Sequence, residues 1–203
     1  MSQLDLLKKS NRLQAITDLI NRLFHPKGAS TSSKSDLDSL KPQGEFVKGI
    51  NFNGKAVTID GYSWASYESA LANGLSVPEA ISITTSVKPK PAANRDTRSM
   101  LNAVVCRNQK LEIRQVLPNE TYDVYLWIIE NYRDKHHSMD LSIGDQTVAR
   151  GIGVLDFQNW AKYGPYRTTV TDGVLNLALS CSNPEVDAHI MGMAIFKPSS
   201  PEA

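Results

Sequence analysis

Acidic, aromatic, basic and histidine side chains follow one another closely between residues 130 and 140, directly after a long apolar run. Three kinds of chemistry could use such a set. Glycoside hydrolysis needs two carboxylates on either side of one bond, histidines and acids can bind a metal ion, and an exposed aromatic ring with polar neighbours can hold a ligand. The residues concerned are Glu130, Tyr132, Arg133, Asp134, His136, His137 and Asp140.

The hydrolytic interpretation has little support in the sequence. Glu130 could be paired with Asp134 or Asp140 as the two acids of a glycosidase, but no motif fixes their spacing. The serine-hydrolase, zinc-protease and phosphate-binding glycine motifs are also missing from the sequence. We therefore predict that the protein is not an enzyme.

A metal site is also disfavoured. His136 and His137 are adjacent, so on an extended chain they point in opposite directions and cannot easily share one ion. A dense run of Asp and Asn ligands, which would support a structural calcium ion, is lacking, and we predict no cofactor. Cys106 and Cys181 have no zinc or redox spacing, and buried thiols are favoured over a disulfide between them.

Two other stretches contain aromatic side chains that could contact a ligand. "FQNWAKYGPY" places Trp160, Tyr163 and Tyr166 close to Asn159 in what reads as a Gly/Pro-containing loop. These rings could form an exposed platform or pack beneath the loop. "DGYSWASYESA" supplies Trp64 and Tyr67, and Trp64 fits the core as well as a contact surface.

The elements that must position these residues are predicted to be strands. From Phe46 onward, short segments rich in β-branched and aromatic residues alternate in hydrophobicity and are separated by turn signals. About eight such segments, without helical patterns between them, indicate an all-β antiparallel sandwich or jelly roll. The strand "TYDVYLWII" is apolar on both faces near its end, which predicts a central position. Residues 85–99, rich in Pro and charge, are expected to be an exposed loop.

The chain divides into four predicted regions. Residues 1–28 read as an amphipathic helix and residues 29–45 as a flexible linker rich in Ser, Asp and Lys. The sandwich is predicted for residues 46–198 and a short tail for residues 199–203. The helix could pack on the sandwich, or residues 1–24 could bind a protein partner or a second copy of the chain.

Overall composition excludes some classes of partner. Lys and Arg number 22 against 21 Asp and Glu, so no strong field attracts nucleic acid or an anionic membrane. No segment has the apolar length of a membrane span, and the N-terminus is too polar for a secretory signal. Taken as written, the chain is expected to be cytoplasmic, although a piece of a longer secreted protein would look the same.

Several of these elements together resemble the malectin-like family of carbohydrate-binding domains. The elements are "GINFNGKAVTIDGYSW", "ETYDVYLWIIENY", "SMDLSIGDQTV", "TTVTDGVLNLAL" and "NPEVDAHIMGMAIF". The resemblance implies a galactose-binding-like β-sandwich that binds sugar without chemistry, at one end, through loop aromatics and a few polar side chains. An aromatic ring can lie on the C–H face of a pyranose, while acids, amides and hydroxyls bond its hydroxyl groups.

The resemblance also implies which residues bind. Tyr132 follows Glu130 at the family's "E-x-aromatic" position, and Arg133 stands where another aromatic is frequent, which argues against the family's di-glucose ligand. Ser182 falls where some members carry a ligand-binding Asp. The expected binding residues are Tyr132, Glu130, Arg133, Trp64, Tyr67, Asn159, Trp160, Tyr163, Tyr166 and Ser182.

We thus predict a non-catalytic module that recognises a glucose- or galactose-type glycan. The alternative is a protein-interaction or structural assembly module that attaches to a larger complex through the N-terminal helix. Deleting residues 1–44 discriminates between the two, because sugar binding should survive the deletion and assembly through the helix should not.

Overall fold

Strands dominate residues 44–199, the part of the chain that this computed structural model describes. The predicted helix at 1–28 with its proposed partner-binding region, most of the predicted linker and residues 200–203 of the tail lie outside this part. β1 begins two residues before the predicted start of the sandwich. The strands are β1 (Gly44–Asn51), β2 (Val57–Ile59), β3 (Tyr62–Ser66), β4 (Leu75–Ser76), β5 (Ile81–Thr84), β6 (Ala103–Asn108), β7 (Lys110–Val116), β8 (Thr121–Ile129), β9 (Met139–Ile143), β10 (Gln146–Ile152), β11 (Trp160–Thr169), β12 (Val174–Cys181), β13 (Asp187–Ile190) and β14 (Gly192–Pro198). The helices are α1 (Tyr67–Ala72) and α2 (Arg95–Leu101).

The strands form three sheets. The six-stranded sheet has the order β11-β8-β14-β1-β3-β2, the five-stranded sheet β10-β9-β12-β7-β4, and the three-stranded sheet β13-β6-β5. Pairing is antiparallel apart from a short parallel contact between β1 and β3. Side chains of the two larger sheets share one hydrophobic core, so the predicted all-β sandwich is confirmed.

Strand β8 is buried on both faces, as its sequence predicted. Val124, Leu126 and Ile128 face the core shared with the five-stranded sheet. The alternate residues Tyr125, Trp127 and Ile129 pack in a second core, with residues of α2 and β6. Because β8 is held on both sides, the segment that follows it starts from a fixed point.

Residues 85–99 are not loop throughout, since α2 begins at Arg95. Asn94 caps this helix by accepting a hydrogen bond from the Thr97 backbone N–H at 2.8 Å. Met100 and Leu101 then anchor the helix in the second core. The cap and the two apolar residues explain a helix in a stretch whose charge and proline content predicted loop.

The two cysteines, in β6 and at the end of β12, are buried free thiols, as favoured by the sequence. Burial, with a smaller contribution from the charge of Asp187, raises the pKa of each thiol to about 11, so both are protonated at neutral pH. Within residues 44–199, no helix has the length and apolar character needed to cross a membrane.

Candidate functional site

The segment between β8 and β9 lies at one end of the sandwich, next to the segment between β12 and β13. The register explains this neighbourhood, because Cys181, the last residue of β12, pairs with Met139, the first residue of β9. Residues 130–138 and 182–186 therefore project from the same end of the molecule.

A cleft of about 270 Å³ lies between these two segments and is called here the loop-end cleft. It brings together Arg133 and Ser182, two predicted binding residues that are far apart in the sequence. Its lining is rich in hydroxyl, amide and charged groups and consists of Arg133, Asp134, Lys135, His136, Ser138, Cys181, Ser182, Asn183 and Val186.

Tyr132 stands beside the cleft. With 65% of its surface exposed, it is the most exposed large apolar side chain among residues 44–199. Its ring centre lies 4.8 Å from that of His136 and 5.4 Å from the guanidinium carbon of Arg133. Both partners line the cleft, so the ring is held at its rim with most of its surface open to solvent.

Glu130 has a different place from the one predicted, because it is fully buried beneath the loop. One carboxylate oxygen accepts hydrogen bonds from the backbone N–H groups of Tyr132 (3.0 Å) and Arg133 (3.4 Å). The other accepts from the backbone N–H of His137 (3.0 Å), and Nδ1 of His137 lies 2.9–3.0 Å from both oxygens. Glu130 therefore shapes the loop that carries Tyr132, and both of its carboxylate oxygens accept hydrogen bonds from within that loop.

The electrostatics of Glu130 agree with this role. Burial alone would raise the pKa of its carboxyl group, but the hydrogen bonds from His137 and the backbone outweigh burial and lower the pKa to about 2. The carboxylate is thus ionised at every pH at which proteins normally work. The negative charge interacts with backbone N–H groups of the loop and with the His137 ring.

His189 on β13 completes the buried part of this end and was missed by the sequence analysis. Its ring centre lies 4.0 Å from that of His137, it is 2% exposed, and its Nε2 atom has no hydrogen-bond partner in the structure. Burial, with the charge of His137 second, lowers the pKa of His189 to about 3. The only signal in the sequence was a histidine among apolar residues of a strand, which does not say what it contacts.

His136 and His137 are held by neighbouring side chains. In the part of the chain that the structure describes, no three His, Cys, Asp or Glu side chains are grouped so as to hold an ion. Nδ1 of His137 is engaged by Glu130, and His136 stacks edge-on against His137 at 4.7 Å between ring centres.

The three aromatics of residues 160–166 do not form one platform, because they lie on strand β11 and not on a loop. Trp160 packs against the second core and donates its Nε1–H to the carbonyl of Pro91 at 2.8 Å. Tyr163 and Tyr166 pack on the opposite face, against the core shared by the two large sheets. Strand pairing with β8 thus separates the rings that the sequence placed together.

The other residues predicted to bind a ligand, Trp64, Tyr67 and Asn159, do not line the cleft. Trp64 is 3% exposed and packs edge-on against Trp127, with ring centres 4.9 Å apart. Tyr67 is half-buried at the start of α1 and packs against the shared core. The backbone carbonyl of Asn159 accepts a hydrogen bond from the Glu130 N–H at 2.9 Å, so this residue supports the base of the loop.

Tyr163→Phe tests the structural role of one of these residues. The Tyr163 hydroxyl accepts a hydrogen bond from the Gly153 N–H at 2.9 Å, and its loss should lower the free energy of unfolding by about 1 kcal/mol. Urea denaturation measures this loss. If Tyr163 were a ligand contact instead, the substitution would weaken saccharide binding and leave stability unchanged.

A second, larger groove of about 940 Å³ lies at the opposite end, where β8 and β12 begin. It contains none of the predicted binding residues, and no aromatic side chain lines it. Thr121, Thr169, Asp172 and Asn176 are among its polar residues.

Comparison with known proteins shows which folds this chain is similar to, but it does not identify a ligand. No family model matches the sequence, and no curated protein matches it either. Among solved structures, the ANXUR1 extracellular domain from Arabidopsis thaliana is similar with a TM-score of 0.59 at 15% identity, over 76% of this chain and 49% of that one. The plant receptor-like kinase FER is similar with a TM-score of 0.57 at 13% identity, over 74% of this chain and 42% of that one.

A Bacteroides uniformis β-glucuronidase is similar too, with a TM-score of 0.60 at 12% identity over 75% of this chain. The chain spans 18% of the length of that enzyme and less than half of the two receptor structures. At these identities the likeness is one of fold alone. It agrees with the malectin-like β-sandwich that the sequence suggested, at the level of the fold.

Proposed function

We propose that this chain is a non-catalytic, malectin-like carbohydrate-binding module that recognises a glucose- or galactose-type glycan at the loop-end cleft. One observation carries the proposal. The ring of Tyr132 is 65% exposed at the rim of a cleft whose lining is rich in hydrogen-bonding groups.

The arrangement suits a pyranose ring for physical reasons. The exposed face of Tyr132 can cover the C–H groups of the sugar, and its contacts with His136 and Arg133 reduce the entropy lost when it is fixed. Ser182, Asn183 and the Arg133 guanidinium line the cleft beside it and can exchange hydrogen bonds with hydroxyl groups.

Support for a non-catalytic role comes from Glu130. A glycosidase needs two carboxyl groups that reach the scissile bond. Two acids, Glu130 and Asp134, lie two residues from Tyr132 in the sequence. Glu130 is buried and accepts hydrogen bonds from the loop on both of its oxygens. Asp134 lines the cleft, and its carboxylate accepts the Phe157 backbone N–H. A single cleft of this size should bind weakly, with a Kd between micromolar and millimolar, which is about 4 to 8 kcal/mol.

Replacement of Tyr132 tests the proposal. In isothermal titration calorimetry with maltose, lactose and their monosaccharides, we expect Tyr132→Ala to weaken binding about tenfold or more, because the stacking surface is removed. Tyr132→Phe should retain most of the affinity, since it keeps the ring.

A matched control is available at the other end of the sandwich. Val116 is also exposed, at 58%, and Val116→Ala should leave saccharide binding unchanged. Binding that survives Tyr132→Ala in a folded protein would contradict the proposed site, and a wild-type chain that binds none of these sugars would contradict the proposed ligand class.

A further inference from the structure

We infer that His136 is a positioning residue for Arg133, and that protonation of its ring releases the Arg133 guanidinium from the loop-end cleft. The inference rests on the proposed function in so far as Arg133 contacts a saccharide. If it is correct, the affinity of the loop-end cleft for a saccharide depends on pH.

The hydrogen bond from Arg133 shows that Nδ1 of His136 carries no proton. Arg133 Nε–H donates to His136 Nδ1 at 3.2 Å, and a nitrogen can accept a hydrogen bond only when it carries no proton. The same guanidinium lies 5.4 Å from the centre of the Tyr132 ring, and the His136 ring lies 4.8 Å from it. Tyr132, Arg133 and His136 therefore support one another at the rim of the cleft.

Arg133 depends on this contact because no acid holds it. Among residues 44–199, no carboxylate lies within ion-pair distance of its guanidinium. Lys135 and Asp134 line the same cleft, but the Asp134 carboxylate accepts the Phe157 backbone N–H at 2.7 Å, and Lys135 lies 3.9 Å from Asp156. The His136 ring is thus the side-chain acceptor that orients Arg133.

Charges around His136 come from both neighbouring segments. His137, whose ring touches it, and Arg133 act against its protonation, while Glu130 and Asp187 favour it, and His189 lies behind His137. Burial is the largest influence, and the sum lowers the pKa of His136 below 6.5. The hydrogen bond is therefore complete above about pH 6.5 and is lost as the pH falls through the pKa of the folded protein.

Acidification should consequently change the cleft in two ways. Protonated His136 carries a hydrogen on Nδ1 and a positive charge, so it neither accepts from Arg133 nor tolerates the guanidinium at 3.2 Å. Arg133 is then free to leave the Tyr132 ring. We expect affinity for maltose or lactose to fall about tenfold between about pH 7.5 and a pH below the pKa of His136, which corresponds to the loss of one charged hydrogen bond.

The experiment follows the Arg133 Nε–H resonance of the full chain by NMR over this pH range, without a sugar. The resonance should be sharp and slow to exchange near pH 7.5 and should broaden or disappear once the pH is below the pKa of His136. The Arg167 Nε–H, which donates to Asp123 at 2.8 Å, is an internal control in the same spectrum. His136→Ala should abolish the protected Arg133 signal at every pH.

His136→Asn provides the conservative rescue. Its amide oxygen can accept from Arg133 but does not titrate, so the protected signal and the saccharide affinity should persist at the lower pH. An Arg133 signal that ignores pH, or is unchanged in His136→Ala, would overturn the inference. Saccharide binding of equal strength at both pH values would overturn it while leaving the proposed function intact. A titrating Arg133 signal without saccharide binding would instead overturn the proposed function and leave the positioning role standing.

Discussion

Glu130→Gln should lower the free energy of unfolding by about 3 kcal/mol or more and should abolish saccharide binding, although Glu130 is fully buried beneath the loop. The carboxylate accepts backbone hydrogen bonds from Tyr132, Arg133 and His137 and also contacts the His137 ring. A glutamine amide places an NH₂ group where one of these oxygens accepts. Since the site is fully buried, the donors left unpaired cannot turn to water.

Urea denaturation followed by circular dichroism measures the change, with calorimetric titration of maltose as the second measurement. Glu120→Gln is the matched control, because Glu120 is 41% exposed and pairs with Lys197 at 2.6 Å on the surface. That pair should contribute at most about 1 kcal/mol. Equal losses in the two variants would mean that Glu130 has no special role in holding the loop.

Acidification should destabilise the fold well before Glu130 is protonated, and His189 is the cause. Its pKa is about 3 in the folded protein against an ordinary value of 6.5, so the neutral form is strongly favoured by folding. The stability that follows is complete above about pH 6.5 and is lost progressively as the pH falls to about 3. Each unit of pKa depression corresponds to about 1.4 kcal/mol, so the total loss should reach several kcal/mol. Glu130 adds its own loss below about pH 4.5, because its pKa is also lowered.

His189→Leu should remove most of this pH dependence between about pH 6.5 and pH 4.5. It should cost little at neutral pH, since it replaces a buried ring whose Nε2 has no partner with an apolar side chain of similar burial. Urea denaturation of the variant and the wild type at a series of pH values gives the comparison. A variant as acid-sensitive as the wild type would show that another group controls acid unfolding.

The central strands could be predicted from the sequence because burial on both faces leaves a clear pattern. Strand β8 alternates between two apolar sets, and each set faces its own core. Short edge strands such as β4 and β5 carry no such pattern. Strand β5 has the sequence Ile-Ser-Ile-Thr, whose alternation is too short to stand out, and all four of its residues are exposed.

The sequence indicated which types of residue lie near the site, but it did not show which of their side chains are buried and which are exposed. Tyr132 and Glu130 are neighbours in the sequence, yet one is at the surface and the other is fully buried. The three aromatics of β11 are neighbours too, but strand alternation and the register with β8 direct them to different cores. Arg133 and Ser182 line the same cleft because β9 pairs with β12. The sequence near either residue gives no indication of this pairing.

Amide shift mapping of the full chain, titrated with maltose and with lactose, tests the central claim most directly. We predict saturable shifts that concentrate on Tyr132, Arg133, Ser182 and Asn183, the residues at and beside the loop-end cleft. Shifts centred on Thr169 and Asp172 at the opposite groove, or no saturable shifts with either sugar, would contradict it.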